Sequence, residues 1–167
     1  MRAERTASGL VVETDSERET DQLGRALATA VAPDDVIGLI GPLGAGKTRL
    51  VRAVAEALGA SPGTVSSPTF VLIHEYPTRI PIFHFDTYRL RLPAEFDDLG
   101  ASDYWTAGGV CLVEWADRVL DRLPPDACLV RIEPTGVESR RFVFEGRDGL
   151  AARLEGGLAR SQSPEAS

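Results

Sequence analysis

The sequence predicts an α/β domain, in which helices alternate with the strands of a single sheet. Residues 36–40 form a continuous apolar run, which is typical of a strand that is buried on both faces. A glycine-rich segment follows at 41–48, and apolar residues then recur with helical spacing from Leu50 to Leu58. This order of strand, glycine-rich loop and helix predicts one βα unit with its loop at the end of a buried strand.

The elements on either side of this unit are predicted from the same periodicities. A short strand at 10–12 precedes a helix, which begins at the capping-box pattern Ser16-x-x-Glu19 and ends before Pro33. The acidic stretch 92–107 contains scattered aromatic residues and predicts short helices. Further strands of the same sheet are predicted at 69–76, 80–86, 110–113, 129–132 and 142–144, the first two as a hairpin.

Length, composition and charge restrict the class of protein. The 167 residues suit one domain, expected at 1–155, followed by a disordered tail at 156–167 that is rich in Gly, Ser, Gln and Pro. The chain has neither the ~18 consecutive apolar residues of a membrane span nor a secretory signal at its start, so a cytoplasmic location is expected. The net charge of −7 repels nucleic-acid phosphates, and direct binding of bulk nucleic acid is not expected. Cys111 and Cys128 lie in apolar stretches and are predicted to be buried, reduced thiols.

The glycine-rich segment Gly41–Thr48 reads G-P-L-G-A-G-K-T and matches the phosphate-loop pattern G-x-x-x-x-G-K-[ST] in full. Glycines allow consecutive backbone N–H groups to point at an anion, and the helix that follows adds the positive end of its dipole. Lys47 is predicted to reach the β- and γ-phosphates, and Thr48 to bind magnesium. The predicted nucleotide-binding residues are Leu43, Gly44, Ala45, Gly46, Lys47, Thr48 and Arg49.

Lys47 is also the only lysine of the chain, and every other basic side chain is an arginine. The exception falls at the one position where a compact ammonium is needed and a planar guanidinium is too bulky. This distribution supports the phosphate-loop interpretation.

Two carboxylates follow apolar strands and are candidates for the second half of a magnesium–nucleotide site. Glu114 ends the run 110–113, and Asp86 ends the run 82–85. Because the strand before Glu114 is the more apolar, Glu114 is predicted to hold magnesium, directly or through water. Asp86 is then the candidate for positioning or activating the attacking water.

The turn Ser66–Phe70 is rich in hydroxyl groups and has two interpretations. It is either a turn that bonds its own backbone or a switch-like loop in which Thr69 senses the γ-phosphate. His84 and Trp115 lie beside the two carboxylates in the sequence, and each taken alone is more typical of packing than of chemistry.

Four motifs follow one another along the chain: G41PLGAGKT48, S67PTF70, H84FDTYRL90 and L112VEW115. Together they resemble the TsaE (YjeE) family, bacterial ATPases needed for the threonylcarbamoyladenosine modification of tRNA. The resemblance covers residues of about 10 to 145. It implies a three-layer P-loop NTPase-like fold with a central mixed, largely parallel sheet.

The resemblance also implies the site and its partners. The expected activity is magnesium-dependent ATP hydrolysis that acts on a complex of TsaD and TsaB, which holds the tRNA. Thr48 and Glu114 are expected at the magnesium ion, and Asp86 is expected to be needed for hydrolysis. The remaining expectations place Ser67, Thr69 and Trp115 near the nucleotide or the partner, and Glu17, Thr20 and Arg140 on the adenine side.

Two other functions remain open on the residues alone. The first is a small-molecule kinase, but such kinases usually begin at the phosphate-loop strand, and an arginine-rich lid segment is not recognisable here. The second is a binding protein in which ATP only orders a partner surface. For an ATPase, slow hydrolysis by the isolated chain and stimulation by the partner are expected, because neither Arg49 nor Arg89 is fixed over the transferred phosphate by the sequence.

Overall fold

The computed structural model of the chain describes residues 1–7, 9–68, 72–146 and 149–162, with side chains up to residue 160. The predicted switch residue Thr69 lies outside the described residues. The strands are β1 Arg2–Thr6, β2 Gly9–Thr14, β3 Val36–Ile40, β4 Ile73–Tyr76, β5 Ile82–Asp86, β6 Val110–Glu114, β7 Cys128–Pro134 and β8 Arg140–Glu145. The helices are α1 Glu17–Ala30, α2 Lys47–Leu58, α3 Ala94–Asp98, α4 Ala101–Tyr104 and α5 Leu150–Gln162, with 3-10 turns at Ala116–Arg118 and Leu120–Arg122.

The described strands form one mixed sheet in the order β1-β2-β8-β7-β3-β6-β5-β4. Strand β3 runs parallel to both of its neighbours, β6 and β7, and β5 runs parallel to β6. The other pairings are antiparallel. The mixed sheet is therefore confirmed, with its parallel pairings confined to the centre. The carboxyl ends of β3, β5 and β6 meet at one edge, where the site residues were predicted.

Apolar side chains of the central strands pack on both faces of the sheet. In β6, Val110 and Leu112 belong to the core cluster that includes residues of α1, α2 and α5, whereas Cys111 and Val113 belong to the cluster that includes residues of α3 and α4. Because successive side chains of a strand point to opposite faces, these two clusters are separate layers. The predicted three-layer arrangement is confirmed.

Helix α1 begins where its capping pattern predicts, and it packs closely on α2. The Ser16 hydroxyl accepts a hydrogen bond from the Glu19 N–H at 3.3 Å, and the Glu19 carboxylate accepts one from the Asp15 N–H at 2.8 Å. At the helix crossing, a Cβ atom added to Gly24 would lie 2.3 Å from the Cβ of Ala53. Only glycine permits this approach, which brings α1 beside the phosphate loop.

The C-terminal segment differs from its predicted disorder. Helix α5 continues to Gln162, so the disordered tail predicted from residue 156 is wrong at least to residue 162. Leu150, Leu154 and Leu158 recur every four residues and are buried, and α5 contacts α1. This apolar stripe outweighs the low helix propensity of the two adjacent glycines.

The N-terminal edge of the sheet was also missed. Strand β1 pairs with β2 at the edge, and its composition, R-A-E-R-T, gives no apolar signal. The hairpin predicted at 69–86 is confirmed as β4 and β5, although residues 69–71 lie outside the described part. Both cysteines are buried, and they form no disulfide with each other, as predicted. Of the helices in the described part of the chain, none combines the length and the apolar character of a membrane span.

Candidate functional site

The loop between β3 and α2 has the backbone conformation that its glycines permit. Gly44 and Gly46 have φ values of 76° and 105°, in the left-handed region that favours glycine. Gly41 has a different role, because an added Cβ would lie 2.6 Å from the carbonyl oxygen of Ile132. Gly46 caps α2, whose first turn then points its free N–H groups at the loop. The result is a concave backbone suited to an anion.

Lys47 is held inside this loop. Its ammonium group donates to the carbonyl oxygens of Gly41 at 2.6 Å and Pro42 at 2.9 Å, and it lies 3.5 Å from the centroid of the Trp115 ring. The residue is only 5% exposed. Burial lowers the pKa of Lys47, and the negative charge of Glu114, Asp117 and Asp86 opposes that shift in part.

The two predicted carboxylates are neighbours across the sheet. Asp86 ends β5, Glu114 ends β6, and the two residues are register partners. The Thr48 hydroxyl at the start of α2 donates to the Glu114 carboxylate, with oxygen–oxygen distances of 2.9 and 2.8 Å. The structure thus brings together Thr48 and Glu114, the residues that the sequence predicted as a magnesium pair.

His84 supports Glu114 from within the sheet. Its Nε2 lies 2.8 Å from Glu114 Oε1, and both side chains are almost fully buried. The other ring nitrogen, Nδ1, has no hydrogen-bond partner among the residues that the structure describes. Sequence reasoning placed His84 near the site but did not assign it this contact, because pairing across strands is visible only once the register is known.

Asp86 has its own set of contacts. Its carboxylate accepts a hydrogen bond from the Ser67 hydroxyl and one from the Tyr88 N–H at 2.8 Å. These contacts orient the carboxylate at the edge of the cleft. Ser67, predicted as part of a switch, is therefore joined directly to the residue predicted to position water.

Trp115 follows β6 in a left-handed conformation with φ of 59°. Such a conformation costs a non-glycine residue on the order of 1–3 kcal/mol. The Thr87 hydroxyl donates to the carbonyl oxygens of Glu114 at 3.1 Å and Trp115 at 2.8 Å, which holds the turn. The ring of Tyr88, 4.9 Å away, packs on the Trp115 ring. The aromatic pair forms one wall of the site.

These side chains line a cleft of about 420 Å³. Its lining residues are Leu43, Gly44, Gly46, Lys47, Thr48, Arg49, Ser67, Asp86, Tyr88, Glu114 and Trp115. Of the predicted nucleotide-binding residues, Ala45 is buried and does not line it. Tyr88 was not predicted as a site residue, although it lies within the motif at 84–90. A larger cavity of about 520 Å³ between α1 and α5 contains none of the predicted residues.

The residues predicted on the adenine side lie in an adjoining cavity. Glu17, Thr20 and Arg140 line a space of about 190 Å³ together with Gly44, Gly46, Arg49, Arg52 and Glu138. Arg49 is bound there by two carboxylates: Asp21 accepts at 2.8 and 2.7 Å, and Glu17 at 2.6 Å. The hydrogen bond to Asp21 and the two negative charges raise the pKa of Arg49. Asp21 was missed, because nothing in the sequence of a helix face predicts its partner.

A phosphate loop at the end of a buried parallel strand, facing carboxylates on the two next strands, defines a P-loop NTPase-like protein. A family model described as "Threonylcarbamoyl adenosine biosynthesis protein TsaE" matches residues 14–142. The chain belongs to the TsaE family.

Individual relatives agree with this assignment. The chain is 39% identical to the tRNA threonylcarbamoyladenosine biosynthesis protein TsaE of Bacillus subtilis over 127 residues, which is 75% of this chain and 78% of the relative. It is 37% identical to the Treponema pallidum protein of the same name over 109 residues, 65% of this chain and 80% of the relative. Among solved structures, the crystal structure of Bacillus subtilis YdiB superposes with a TM-score of 0.75 and 30% identity, covering 98% of this chain and 99% of that one.

Proposed function

We propose that this protein binds magnesium-ATP and hydrolyses it in support of tRNA threonylcarbamoyladenosine biosynthesis, by acting on a complex of TsaD and TsaB. Membership of the TsaE family supports the pathway. The contact of Thr48 with Glu114, beside Lys47 and Asp86 in one cleft, is the observation that carries the chemistry. The partners follow from the family resemblance, and a cytoplasmic location follows from the role.

The Thr48–Glu114 pair fits a magnesium ion. Magnesium prefers hard oxygen ligands and is usually held by one or two protein groups, with phosphates and waters completing its shell. The hydroxyl and the carboxylate here are adjacent and line the cleft. When bound, magnesium would offset the charge of the phosphates during transfer. His84 keeps the Glu114 carboxylate in place for this role.

Lys47 binds the phosphates in this proposal. An ammonium group has three N–H donors, and two of them are used by the carbonyl oxygens of Gly41 and Pro42. We assign the third to a phosphate oxygen in the nucleotide complex, and the Trp115 ring, whose centroid lies 3.5 Å from the ammonium nitrogen, packs against the same group. The charge is thus positioned before the nucleotide arrives, which lowers the cost of reorganisation.

Asp86 orients the attacking water. Its carboxylate is fixed by Ser67 and by the Tyr88 N–H at the edge of the cleft. A carboxylate accepts several hydrogen bonds, so a fixed one directs a water molecule along a defined line. Ser67 lies in the same segment as Thr69. A change in this segment would therefore alter the position of the Asp86 carboxylate and of the water that it orients.

In this proposal, the partner complex supplies the cation that lies over the transferred phosphate. Arg49 is bound by Asp21 and Glu17, so its charge is already neutralised. Arg89 is exposed and does not line the cleft. A cation supplied in trans raises the hydrolysis rate of related phosphate-loop proteins by ~10³–10⁵. Trp115 and Tyr88, at the mouth of the cleft, are the aromatic anchors for the contact.

The test measures phosphate release by the wild type and by Trp115→Ala, each with and without TsaD–TsaB. We expect the partners to accelerate the wild type strongly and Trp115→Ala only weakly. ATP affinity should be largely kept, because Lys47 retains its carbonyl acceptors. Leu120→Ala, which removes an exposed apolar side chain outside the cleft, is the control and should be stimulated normally. Equal turnover with and without partners would exclude the coupling, and phosphate transfer only to an added small molecule would indicate a kinase.

A further inference from the structure

Arg140 connects two distant parts of the chain. It is the first residue of β8, and its backbone is in register with Thr14 of β2 and Pro134 of β7. Its side chain reaches the phosphate loop, where Nε donates to the carbonyl oxygen of Ala45 at 2.9 Å and Nη2 to that of Gly44 at 3.4 Å. A residue of the antiparallel flank, which consists of β1, β2 and β8, thereby contacts the phosphate loop that follows β3.

The same guanidinium also holds the turn from which it extends. Nη1 donates to the carbonyl oxygens of Ser139 at 2.8 Å, Gly136 at 3.1 Å and Val137 at 3.1 Å. Within the described residues, every hydrogen-bond acceptor of this side chain is a main-chain carbonyl. A planar fork of five N–H donors suits such a bridge, whereas a lysine offers a single point of attachment.

The contacts with Gly44 and Ala45 determine where the loop N–H groups point. In a planar trans peptide, the C=O and the N–H of the next residue point in opposite directions. With the Ala45 carbonyl turned to Arg140, the Gly46 N–H points away from the guanidinium, and Gly46 itself lies between the cleft with Lys47 and the adjoining cavity with Arg140. In the adjacent peptide, the Ala45 N–H donates to the Pro42 carbonyl at 3.1 Å, which closes the loop.

We propose that Arg140 is a positioning residue that holds Gly44–Gly46 in the shape that binds phosphate, and that it is not a contact for the nucleobase. The proposal rests on the proposed ATP binding, and it replaces the adenine-side role that the family resemblance implied for Arg140. Its five carbonyl contacts engage Nε, Nη1 and one N–H of Nη2 with the protein's own backbone. Positively charged and rigid, it also adds to the field that attracts the phosphates.

Binding of two ligands to the full-length chain, each in excess magnesium, separates the two roles. One ligand is ATP, and the other is inorganic triphosphate, which has the phosphates but no nucleoside. We expect Arg140→Ala to weaken both by the same factor, about tenfold or more, because the loss is in the loop. Arg140→Lys should recover only a small part of either affinity. The matched control is Arg141→Ala, whose exposed guanidinium lies 3.9 Å from Glu133, and it should change neither.

Hydrogen exchange of the ligand-free protein gives a second, independent measurement. Amide protons in peptides covering Gly41–Lys47 should exchange faster in Arg140→Ala and Arg140→Lys than in the wild type, while those of β3 remain protected. Loss of ATP affinity with unchanged triphosphate affinity would overturn the inference and assign Arg140 to the nucleoside. Full recovery by lysine, or unchanged exchange in the loop, would also overturn it. A wild type that binds neither ligand would overturn the proposed function as well.

Discussion

The centre of the sheet and its antiparallel flank have different roles. The central strands β3, β5 and β6 end in the phosphate loop, in Asp86 and in Glu114, so most of the candidate chemistry lies at one edge. The flank of β1, β2 and β8 contributes surface ion pairs, such as Arg2 with Glu13 at 2.7 Å, and one residue that reaches the site, Arg140. Parallel strands concentrate chemistry because their carboxyl ends meet, whereas antiparallel strands divide their ends between two edges.

The two regions also differ in how their polar groups are held. In the centre, Lys47, His84 and Glu114 are almost fully buried, and the Glu114 carboxylate accepts from both Thr48 and His84. Each of these buried groups costs desolvation free energy, which is tolerated where binding or catalysis needs it. The flank keeps its charges in solvent, where an ion pair contributes little. Substitutions of polar residues in the centre should therefore change nucleotide binding, whereas those in the flank, apart from Arg140, should change binding and stability only a little.

The largest effect on nucleotide binding is expected at Lys47. Lys47→Ala removes the charge-assisted contact with the phosphates that the proposed function assigns to Lys47, and the expected loss is about 1.5–3 kcal/mol or more. Lys47→Arg should lose nearly as much, because the ammonium fits between the Gly41 and Pro42 carbonyls and the Trp115 ring, and a guanidinium is larger. Calorimetric titration with magnesium-ATP measures both. Full ATP affinity in Lys47→Arg would show that the site does not distinguish the two cations.

The second-largest effects are expected at the two carboxylates that end β5 and β6, and they should differ between the two residues. Glu114→Gln keeps the shape of the side chain and removes its charge, so nucleotide affinity should lose its dependence on magnesium. Asp86→Asn should leave affinity nearly unchanged and lower the hydrolysis rate about 10²-fold or more, since orienting water matters chiefly in the transition state.

The check is a set of ATP titrations with and without magnesium, together with single-turnover rates for both variants. Thermal unfolding of each variant controls for the buried contact with His84. If both variants lost the same affinity and the same rate, the division of roles between Glu114 and Asp86 would be wrong.

The contrast between the centre and the flank of the sheet also explains which parts of the fold the sequence predicts. Continuous apolar runs in β3 and β6 predict buried strands, and the residues that end such strands are predictable as candidate site residues. The glycine pattern of 41–48 predicts a specific backbone shape, and the positive φ values of Gly44 and Gly46 agree with it. Family resemblance added the three-layer arrangement, which the two core clusters confirm.

The flank and helix α5 were predicted less well for physical reasons. Strand β1 has no apolar signal because an edge strand with exposed side chains does not need one. In α5, the glycines at 156 and 157 lower the helix propensity of a segment whose leucines recur every four residues. These leucines stabilise the helix only when it packs against α1. The Arg140 contacts join residues 95 positions apart, and no local pattern encodes such a pair.

A third effect should appear in stability and leave nucleotide binding intact. Leu158→Ala removes a buried side chain from the contact of α5 with α1 and should cost about 2–5 kcal/mol of unfolding free energy. Urea unfolding monitored by circular dichroism measures this loss. At temperatures where the variant is folded, its ATP affinity should equal that of the wild type. Weakened ATP binding in the folded variant would show that α5 supports the site through α1.

The smallest effect is expected at the outer edge of the flank. Arg2→Ala breaks an ion pair with Glu13 in which the two side chains are 74% and 42% exposed, so solvent already screens the attraction. We expect the unfolding free energy to fall by about 0–1 kcal/mol, and less at high salt. ATP affinity should not change, because β2, β8 and β7 lie between β1 and the central strand β3. Unfolding at two salt concentrations, combined with one ATP titration, tests both statements. A measurable loss of ATP affinity in Arg2→Ala would contradict the division of work between centre and flank, because it would require the edge strand to act on the phosphate loop through three neighbouring strands.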